Sequence, residues 1–335
     1  MSITSKGPRR DASRGGAPTP QTTESQTGAS LPVFVNKTPN RARWNDAKKK
    51  GEPFAFLAPV IVLIGVLMVL PIGIVIGYSL FDNVITNKNP ELVGVDNYIE
   101  VLTNPTFIAA TGNTLVFTGA SVVAHLVLGL AFAMLLNTNL LGRFSKAIFR
   151  TIFVLPWLFT VAIIAVLWRL LLNPSGVVNF LLSGVGLADQ GTEWLSSPEL
   201  ALATVTFINI WAGYPFFMIS LLAGLQGIPG ELYEAATVDG ASWWQRFISV
   251  TIPQLRPIII SMLLLDLIWT SQQFALIWLT TGGGPINVTE MLSTFTYKLA
   301  FSRYEFALAS TSAVIILALS GILAFFYVRH QRARD

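Results

Sequence analysis

Six apolar stretches, each long enough to cross a lipid bilayer as a helix, constrain this chain more than any other feature of its sequence. A membrane-spanning helix needs about 20 consecutive apolar residues. None of the six stretches alternates apolar and polar residues as the strands of a membrane barrel do. The sequence therefore predicts an all-α, polytopic membrane protein with six transmembrane helices, at residues 54–81, 113–136, 147–172, 200–225, 258–280 and 305–328.

Composition excludes the soluble alternatives. Only 12% of the 335 residues are charged, whereas 53% are hydrophobic and the mean hydropathy is +0.60. Soluble domains carry about twice that charged fraction, and the apolar content is far too high for intrinsic disorder as the main state. The chain has no cysteine and two histidines, His125 and His330, so we predict no disulfide, no metal site and no cysteine nucleophile.

Residues 1–50 differ from the rest of the chain, because they are rich in Ser, Thr, Pro, Lys and Arg and show no apolar periodicity. We expect a disordered, basic cytoplasmic tail at 1–50 and a transmembrane domain at 51–335. The tail ends in Lys48-Lys49-Lys50, which is expected to orient the first helix, with binding of anionic membrane lipid as the alternative.

Charge bias predicts the orientation in the cell membrane. Most of the 22 Lys and Arg residues lie on the same side of the predicted helices as the N-terminal tail. Because such residues collect on the cytoplasmic side, both termini are predicted to be cytoplasmic. The net charge of +4 is attributed to this bias and not to nucleic acid binding. The predicted outer loops are 82–108, 173–199 and 281–304.

The cytoplasmic loop between the fourth and fifth segments, residues 228–257, is the most informative part of the sequence. A proline–glycine pair at 229–230 is expected to end one helix, residues 231–238 are mostly good helix formers, and Gly240 breaks or bends the chain. Residues 241–250 can form a second short helix. The pattern fits either a rigid docking element or an amphipathic hairpin without a partner, and the residues alone leave both open.

Three groups of residues in this loop resemble a known motif: Glu234-Ala235-Ala236, Asp239-Gly240-Ala241 and Val250-x-Ile252-Pro253. Their spacing matches the E-A-A, three residues, G, nine residues, I-x-L-P pattern of permeases in binding-protein-dependent ABC importers, with conservative changes at Val250 and Ile252. In that family the loop forms a coupling helix in a cleft of the cytoplasmic ATPase. The resemblance implies an ABC importer type I permease fold and ATPase-coupling roles for Glu231, Glu234, Ala235, Ala236, Asp239 and Gly240.

The resemblance extends over roughly residues 53–330 and points to sugars. The sugar-permease branch, and in particular the first permease of maltose/trehalose-type systems, is similar at Gly94-Val95-Asp96-Asn97-Tyr98, Asn104-Pro105-x-Phe107, Asn113-Thr114, Asn209-Ile-Trp211-Ala-Gly213-Tyr214-Pro215, Gln273-Phe274-x-Leu276-Ile277 and Gly283-Gly284-Pro285. The implied partners are a second homologous permease, two ABC ATPase subunits that carry ATP and magnesium, and an external sugar-binding protein or lipoprotein. No cofactor is expected on this chain itself.

A carboxylate near the middle of the fifth segment marks a candidate substrate site. Asp266 would cost about 2.5–3.5 kcal/mol at the centre of a bilayer, so it should face protein or water. Helical spacing places Asp266, Trp269, Thr270, Gln273 and Ile277 on one stripe, which suits sugar hydroxyls and an apolar sugar face. A polar clamp between helices is the alternative. The resemblance implies a substrate pocket at Asn209, Ala212, Gly213, Phe216, Asp266, Trp269, Thr270 and Gln273.

These features predict a non-catalytic translocation subunit of an ATP-driven importer for a sugar, a disaccharide such as trehalose or maltose. The chain lacks the Gly-Lys-Ser/Thr ending of a phosphate-binding loop, so ATP hydrolysis is assigned to the partner subunits. A proton-coupled secondary transporter that uses Asp266 and His125 remains open, although we expect His125 to bond to a neighbouring helix. An ABC permease for glycerol phosphate also remains open, and the absence of basic residues from the pocket stripes counts against it.

Overall fold

The structure, a computed structural model, describes residues 56–82, 84–138, 142–187 and 191–332. The predicted tail at 1–50 lies outside these residues. The chain divides into two units, residues 1–62 and 63–335, and the contacts reported below belong to the second. Within the described ranges the regular structure is helical, apart from an isolated antiparallel bridge between Phe81 and Leu92.

Helices dominate the described residues, and five of them are long and apolar enough to cross a membrane. A further pair is apolar enough to form a sixth span but is bent by 100°. This confirms the predicted fold class. The helices are α1 (Phe56–Tyr78), α2 (Asp96–Thr103), α3 (Pro105–Asn137), α4 (Arg143–Leu158), α5 (Val161–Leu171), α6 (Val177–Gly184), α7 (Ala201–Gln226), α8 (Gly230–Val238), α9 (Trp243–Ser271), α10 (Ala275–Thr280), α11 (Leu292–Phe301) and α12 (Phe306–Arg332).

The third predicted span, 147–172, is not one straight helix, because α4 and α5 meet at the 100° bend. Phe159 and Thr160 have extended backbone, with ψ of 142° and 152°. The Thr160 hydroxyl accepts a hydrogen bond from the Ile163 amide at 3.4 Å and so caps α5. Hydropathy does not reveal this break, since the residues on both sides of it are apolar.

The fifth predicted span, 258–280, was wrong at both ends. Helix α9 begins at Trp243, passes through a π-helical turn at Phe247–Thr251 and ends at Ser271, after which α10 is a separate helix. The expected short helix at 241–250 is therefore the start of α9. The wider turn lets the helix continue past Pro253, whose nitrogen has no proton to donate.

The second predicted span, 113–136, begins too late. Helix α3 starts at Pro105, where the side chain of Asn104 accepts hydrogen bonds from the amides of Thr106 and Phe107 at 2.9 and 3.4 Å. An asparagine cap followed by proline is a favoured start for a helix. Asn113 and Thr114, the first two residues of the predicted span, consequently lie well inside α3.

Helices α3, α7 and α9 share the principal buried cluster, which includes Ala133, Phe217 and Leu255. Gly129 of α3 faces α7 so closely that a Cβ atom there would collide with the Cβ of Phe217. Small residues allow this kind of close approach between helices in a membrane, where packing takes over from hydrophobic burial as the main attraction. The α3–α7 contact positions the polar side chains described below.

Gly129→Ala should therefore destabilise the protein by about 1–3 kcal/mol, the usual range for overpacking a tight core. The matched control is Gly119→Ala in the same helix, because a Cβ at Gly119 has no neighbour within 4 Å. Thermal unfolding of both purified variants in detergent measures the difference. Equal midpoints for the two variants would show that the α3–α7 contact is looser than described.

Candidate functional site

Five polar side chains meet where α3, α7 and α9 come together, and we call this group the polar clamp: His125, Asn209, Asp266, Thr270 and Gln273. The imidazole Nδ1 of His125 lies 2.8 Å from Oδ2 of Asp266. Thr270 donates its hydroxyl proton to Oδ1 of Asp266 at 3.0 Å. His125 is 2% exposed and Asp266 is 7% exposed, so these bonds replace water for both groups.

The hydrogen bond made by the second ring nitrogen of His125 shows that this nitrogen is protonated. Nε2 lies 3.1 Å from the backbone carbonyl of Asn209, and a carbonyl only accepts hydrogen bonds, so Nε2 carries a proton. One further proton then lies between Nδ1 and the Asp266 carboxyl group, because one of them must donate. Whichever atom holds it, the pair has no net charge, which suits burial at membrane depth.

Gly213 of α7 makes room for this histidine. A Cβ atom at Gly213 would collide with Nε2 of His125. The resemblance places Gly213 in the substrate pocket, but in the structure its free space is filled by the His125 ring. The sequence offered a signal for this pair, a histidine at membrane depth with an expected bond to a neighbouring helix.

The stripe predicted along the fifth span separates into two groups. Asp266 and Thr270 are buried in the polar clamp, whereas Trp269 is 59% exposed. Gln273 lies beyond the end of α9 and donates from Nε2 to Oδ1 of Asn209 at 3.4 Å, and Ile277 belongs to α10. The single five-residue stripe was therefore wrong, because α9 ends at Ser271 and helical spacing does not extend from it to Gln273 and Ile277.

Phe216 of α7 packs against a tryptophan of α4 and a tryptophan of α9. We call these three rings the aromatic platform: Trp157, Phe216 and Trp269. The ring centroids of Trp157 and Phe216 are 6.1 Å apart with planes at 29°, and those of Phe216 and Trp269 are 5.7 Å apart with planes at 41°. Trp157 is 51% exposed. Ala212, one turn from Phe216, is half-buried.

The loop with the importer motif forms a short helix and a tight turn that lead directly into α9. Gly240 has φ of +76°, and the Ala241 amide donates to the Ala236 carbonyl at 2.9 Å, which is a common way to end a helix at glycine. Ala236 is half-buried. The other residues with an implied coupling role are exposed: Glu231, Glu234, Ala235, Asp239 and Gly240.

Two side-chain hydrogen bonds brace α8 against α9. The hydroxyls of Tyr233 and Thr251 are 3.0 Å apart, and Nη1 of Arg246 donates to Oγ1 of Thr237 at 3.1 Å. Ser242 and Gln245, three residues later, form a capping box at the start of α9. The loop is thus fixed to the helix that carries Asp266.

Sequence reasoning missed a cavity of about 540 Å³. It lies apart from the polar clamp and is lined by residues that include Arg169, Glu193, Trp194 and Pro285. Arg169 is exposed and donates from Nη1 to the Leu279 carbonyl at 3.4 Å. In the described part of the chain, no three His, Cys, Asp or Glu side chains are grouped to hold a metal ion.

Comparisons with known proteins give a consistent set of similarities. Residues 125–334 match the family described as binding-protein-dependent transport system inner membrane component. Over 295 residues the chain is 35% identical to the trehalose/maltose transport system permease protein of Thermococcus litoralis, with 88% of this chain and 96% of that protein covered. Over 305 residues it is 31% identical to the sulfoquinovosyl glycerol transport system permease protein of Agrobacterium fabrum, with 90% and 97% covered.

One solved structure resembles the fold over nearly its whole length. It is the crystal structure of a bacterial alginate ABC transporter in complex with an alginate pentasaccharide-bound periplasmic protein. One of its chains matches with a TM-score of 0.73 and 26% identity, and the match covers 87% of this chain and 97% of that chain.

Proposed function

The chain belongs to the family of binding-protein-dependent transport system inner membrane components, and we propose that it imports a sugar, a disaccharide such as trehalose or maltose, as one permease subunit of an ATP-driven ABC importer. The relatives named for trehalose and maltose, for sulfoquinovosyl glycerol and for alginate all belong to systems for saccharides or glycosides. Their diversity supports the class of cargo, and the disaccharide is our narrower proposal.

The observation that carries this proposal is the continuity of α9. The helix runs for 29 residues, from Trp243 beside the motif loop to Ser271 beside the polar clamp. At 1.5 Å per residue it is about 40 Å long. A displacement of the loop at one end is therefore transmitted through one rigid element to Asp266 and Trp269 near the other.

We assign the exposed residues of the motif loop to contact with the cytoplasmic ATPase. Closure of two ATPase subunits around ATP and magnesium would move α8 and the start of α9, and α9 would carry that movement into the membrane. A second, homologous permease completes the pathway, and an external sugar-binding protein or lipoprotein releases sugar into it. In this arrangement both termini of the chain are cytoplasmic.

We assign the polar clamp mainly to helix packing and the aromatic platform mainly to contact with the substrate. Asp266 and Gly213 contact His125, and Thr270 donates to Asp266, so we assign these residues to holding α3, α7 and α9 together. Among the described residues the buried amide Nδ2 of Asn209 has no hydrogen-bond partner, which leaves a donor for a sugar hydroxyl. Asn209, Ala212, Phe216, Trp269 and Gln273 are the residues that we propose to line the half-site.

A proton-coupled transporter is the second candidate, because a buried carboxylate and histidine are the usual parts of a proton relay. A relay group must exchange its proton with water or with the substrate. Both nitrogens of His125 and both oxygens of Asp266 are instead bonded within the protein, which favours the importer. The two candidates differ in their energy source. Uptake experiments separate them directly.

We expect uptake of radiolabelled trehalose or maltose into cells that express the whole system to require an active partner ATPase. A substitution of the phosphate-binding lysine in that ATPase should stop uptake, whereas collapse of the proton gradient with an ionophore, at maintained cellular ATP, should leave it unchanged. Uptake that survives the inactive ATPase and stops with the ionophore would replace the importer with the proton-coupled transporter.

A further inference from the structure

Two neighbouring cavities lie at the end of α7 that is farthest from the motif loop. The first is the cavity of about 540 Å³ lined by Arg169 and Glu193. The second has a volume of about 440 Å³ and includes Phe207, in the second turn of α7. Leu172 and Trp194 line both cavities, so the two share a wall. Since α7 is about 40 Å long and the motif loop follows its other end, both cavities lie at the opposite membrane surface.

The two cavities differ in their chemistry. The first contains one cationic and one anionic side chain, Arg169 and Glu193, which do not pair with each other in the described part of the chain. The guanidinium of Arg169 has five N–H donors, and its bond to the Leu279 carbonyl is made from Nη1 alone. Apart from Thr204, the side chains that line the second cavity are apolar or aromatic. A ligand that fills both cavities therefore needs charges of both signs at one end and an apolar chain at the other.

Helix α6, which lines the second cavity, has its apolar side chains on the outside. Phe180 and Leu181 are 77% and 59% exposed. The polar side chain of Asn179 is instead buried, donates from Nδ2 to the Thr192 carbonyl at 2.9 Å and accepts from Nε1 of Trp194 at 2.8 Å. A helix at the membrane surface with this polarity is suited to contact with lipid.

The second cavity lies away from the residues proposed to contact the sugar. Phe207 and Asn209 are two residues apart in α7, so their side chains are about 200° apart around the helix. Asn209 is buried in the polar clamp, whereas Phe207 is exposed. In the proposed arrangement the pathway and the second permease lie on the Asn209 side, so lipid is the occupant that the Phe207 side meets.

We propose that the two cavities together bind one phospholipid with a phosphate and a primary ammonium group, as in phosphatidylethanolamine, from the leaflet opposite the motif loop. Arg169 donates charged hydrogen bonds to the phosphate, Glu193 accepts from the ammonium group, and an acyl chain fills the second cavity. A choline head group has no N–H to donate, so phosphatidylcholine loses the contact with Glu193. The bound lipid holds α5 and α6 against the start of α7.

Lipid binding by the assembled transporter tests this site. The purified complex is stripped of lipid with detergent and titrated with phosphatidylethanolamine or with phosphatidylcholine of the same acyl chains, and bound lipid is counted by native mass spectrometry. Phosphatidylethanolamine should bind about threefold more tightly, the effect expected for one exposed charged contact. Glu193→Gln should remove this preference, and Arg169→Gln should weaken the binding of both lipids. The control Arg150→Gln, at an exposed position of α4 outside both cavities, should change neither.

A second pair of variants tests the acyl chain. Ala203→Phe places a ring in the second cavity and should weaken the binding of both lipids, whereas Ala203→Ser leaves the cavity open and should not. Glycerophosphoethanolamine, the head group without acyl chains, should bind far more weakly than the whole lipid.

Three results would overturn the lipid site: equal binding of the two lipids by the wild type, an unchanged preference in Glu193→Gln, or binding of the head group as tight as that of the lipid. Loss of ATPase stimulation by the binding protein in Arg169→Gln and Glu193→Gln, with unchanged lipid binding, would also overturn it and would assign the cavities to a protein partner.

Discussion

Gly240→Asp should reduce ATP-driven sugar uptake to background while the chain still inserts into the membrane. The native φ of +76° is unfavourable for a residue with a side chain by roughly 1–2 kcal/mol, which is small beside the typical unfolding free energy of about 5–15 kcal/mol. A Cβ at Gly240 meets nothing within 4 Å inside the chain. The loss of uptake must then arise at the surface that receives this turn, where a carboxylate would obstruct docking of the ATPase.

Glu234→Lys should have the same effect for a different reason. Glu234 is exposed on α8. If it binds the ATPase as we propose, reversing its charge would remove one partner of a charged hydrogen bond, a change that costs about 2–5 kcal/mol in a buried interface. Copurification of the ATPase with the variant should weaken, or its stimulation by the sugar-loaded binding protein should disappear.

The matched control for both variants is Gly230→Ala at the start of α8. Gly230 has no positive φ, and a Cβ atom added to it would meet nothing within 4 Å, so uptake should stay near the wild-type rate. Normal uptake by Gly240→Asp and Glu234→Lys would contradict the coupling role of the loop, because the mechanism has no other proposed contact with the ATPase.

His125→Leu should destabilise the protein by about 1–3 kcal/mol, the usual result of leaving a buried polar group without its hydrogen-bond partner. Asp266→Leu should do the same from the other side of the pair. The double variant should be less destabilised than the sum of the two single variants, because it leaves neither group unpaired. Thermal unfolding of the purified variants in detergent measures the coupling between the two positions.

Ser121→Ala provides the control for the pair. Ser121 lies one turn from His125 on α3, is fully buried, and its hydroxyl has no hydrogen-bond partner among the described residues. Its removal should be neutral or slightly stabilising, since an unpaired buried hydroxyl is itself unfavourable. Additive effects of the His125 and Asp266 substitutions would show that the two side chains do not form a functional pair.

The sequence was sufficient to predict the spans whose apolar runs are uninterrupted, such as α7 and α12. It failed at the bend between α4 and α5, because that break occurs within an apolar run, where hydropathy carries no information about direction. It also failed at the gap between α9 and α10, where the polar residues Ser271, Gln272 and Gln273 were counted as part of one span. The continuity of α9 through Pro253 was also missed, since the short helix at 241–250 and the fifth span were expected to be separate, whereas a π-helical turn joins them.

The polar clamp shows a second limit of sequence reasoning. Periodicity relates Asp266 to its neighbours on the same helix, and it correctly groups Asp266 with Thr270. It does not predict that Asp266 contacts His125, or that the His125 ring lies against Gly213, because these contacts depend on how α3, α7 and α9 pack. Trp157 escaped attention altogether, since nothing in its local sequence distinguishes it from a lipid-facing tryptophan.

The most direct measurement of the central claim is ATP hydrolysis by the assembled transporter in liposomes, with the sugar-loaded binding protein supplied on the opposite side of the membrane from ATP. We predict that the loaded binding protein stimulates hydrolysis in the wild type and that Gly240→Asp abolishes this stimulation. Hydrolysis that does not respond to the loaded binding protein in the wild type, or that responds equally in Gly240→Asp, would contradict the account of this chain as the link between external sugar and the cytoplasmic ATPase.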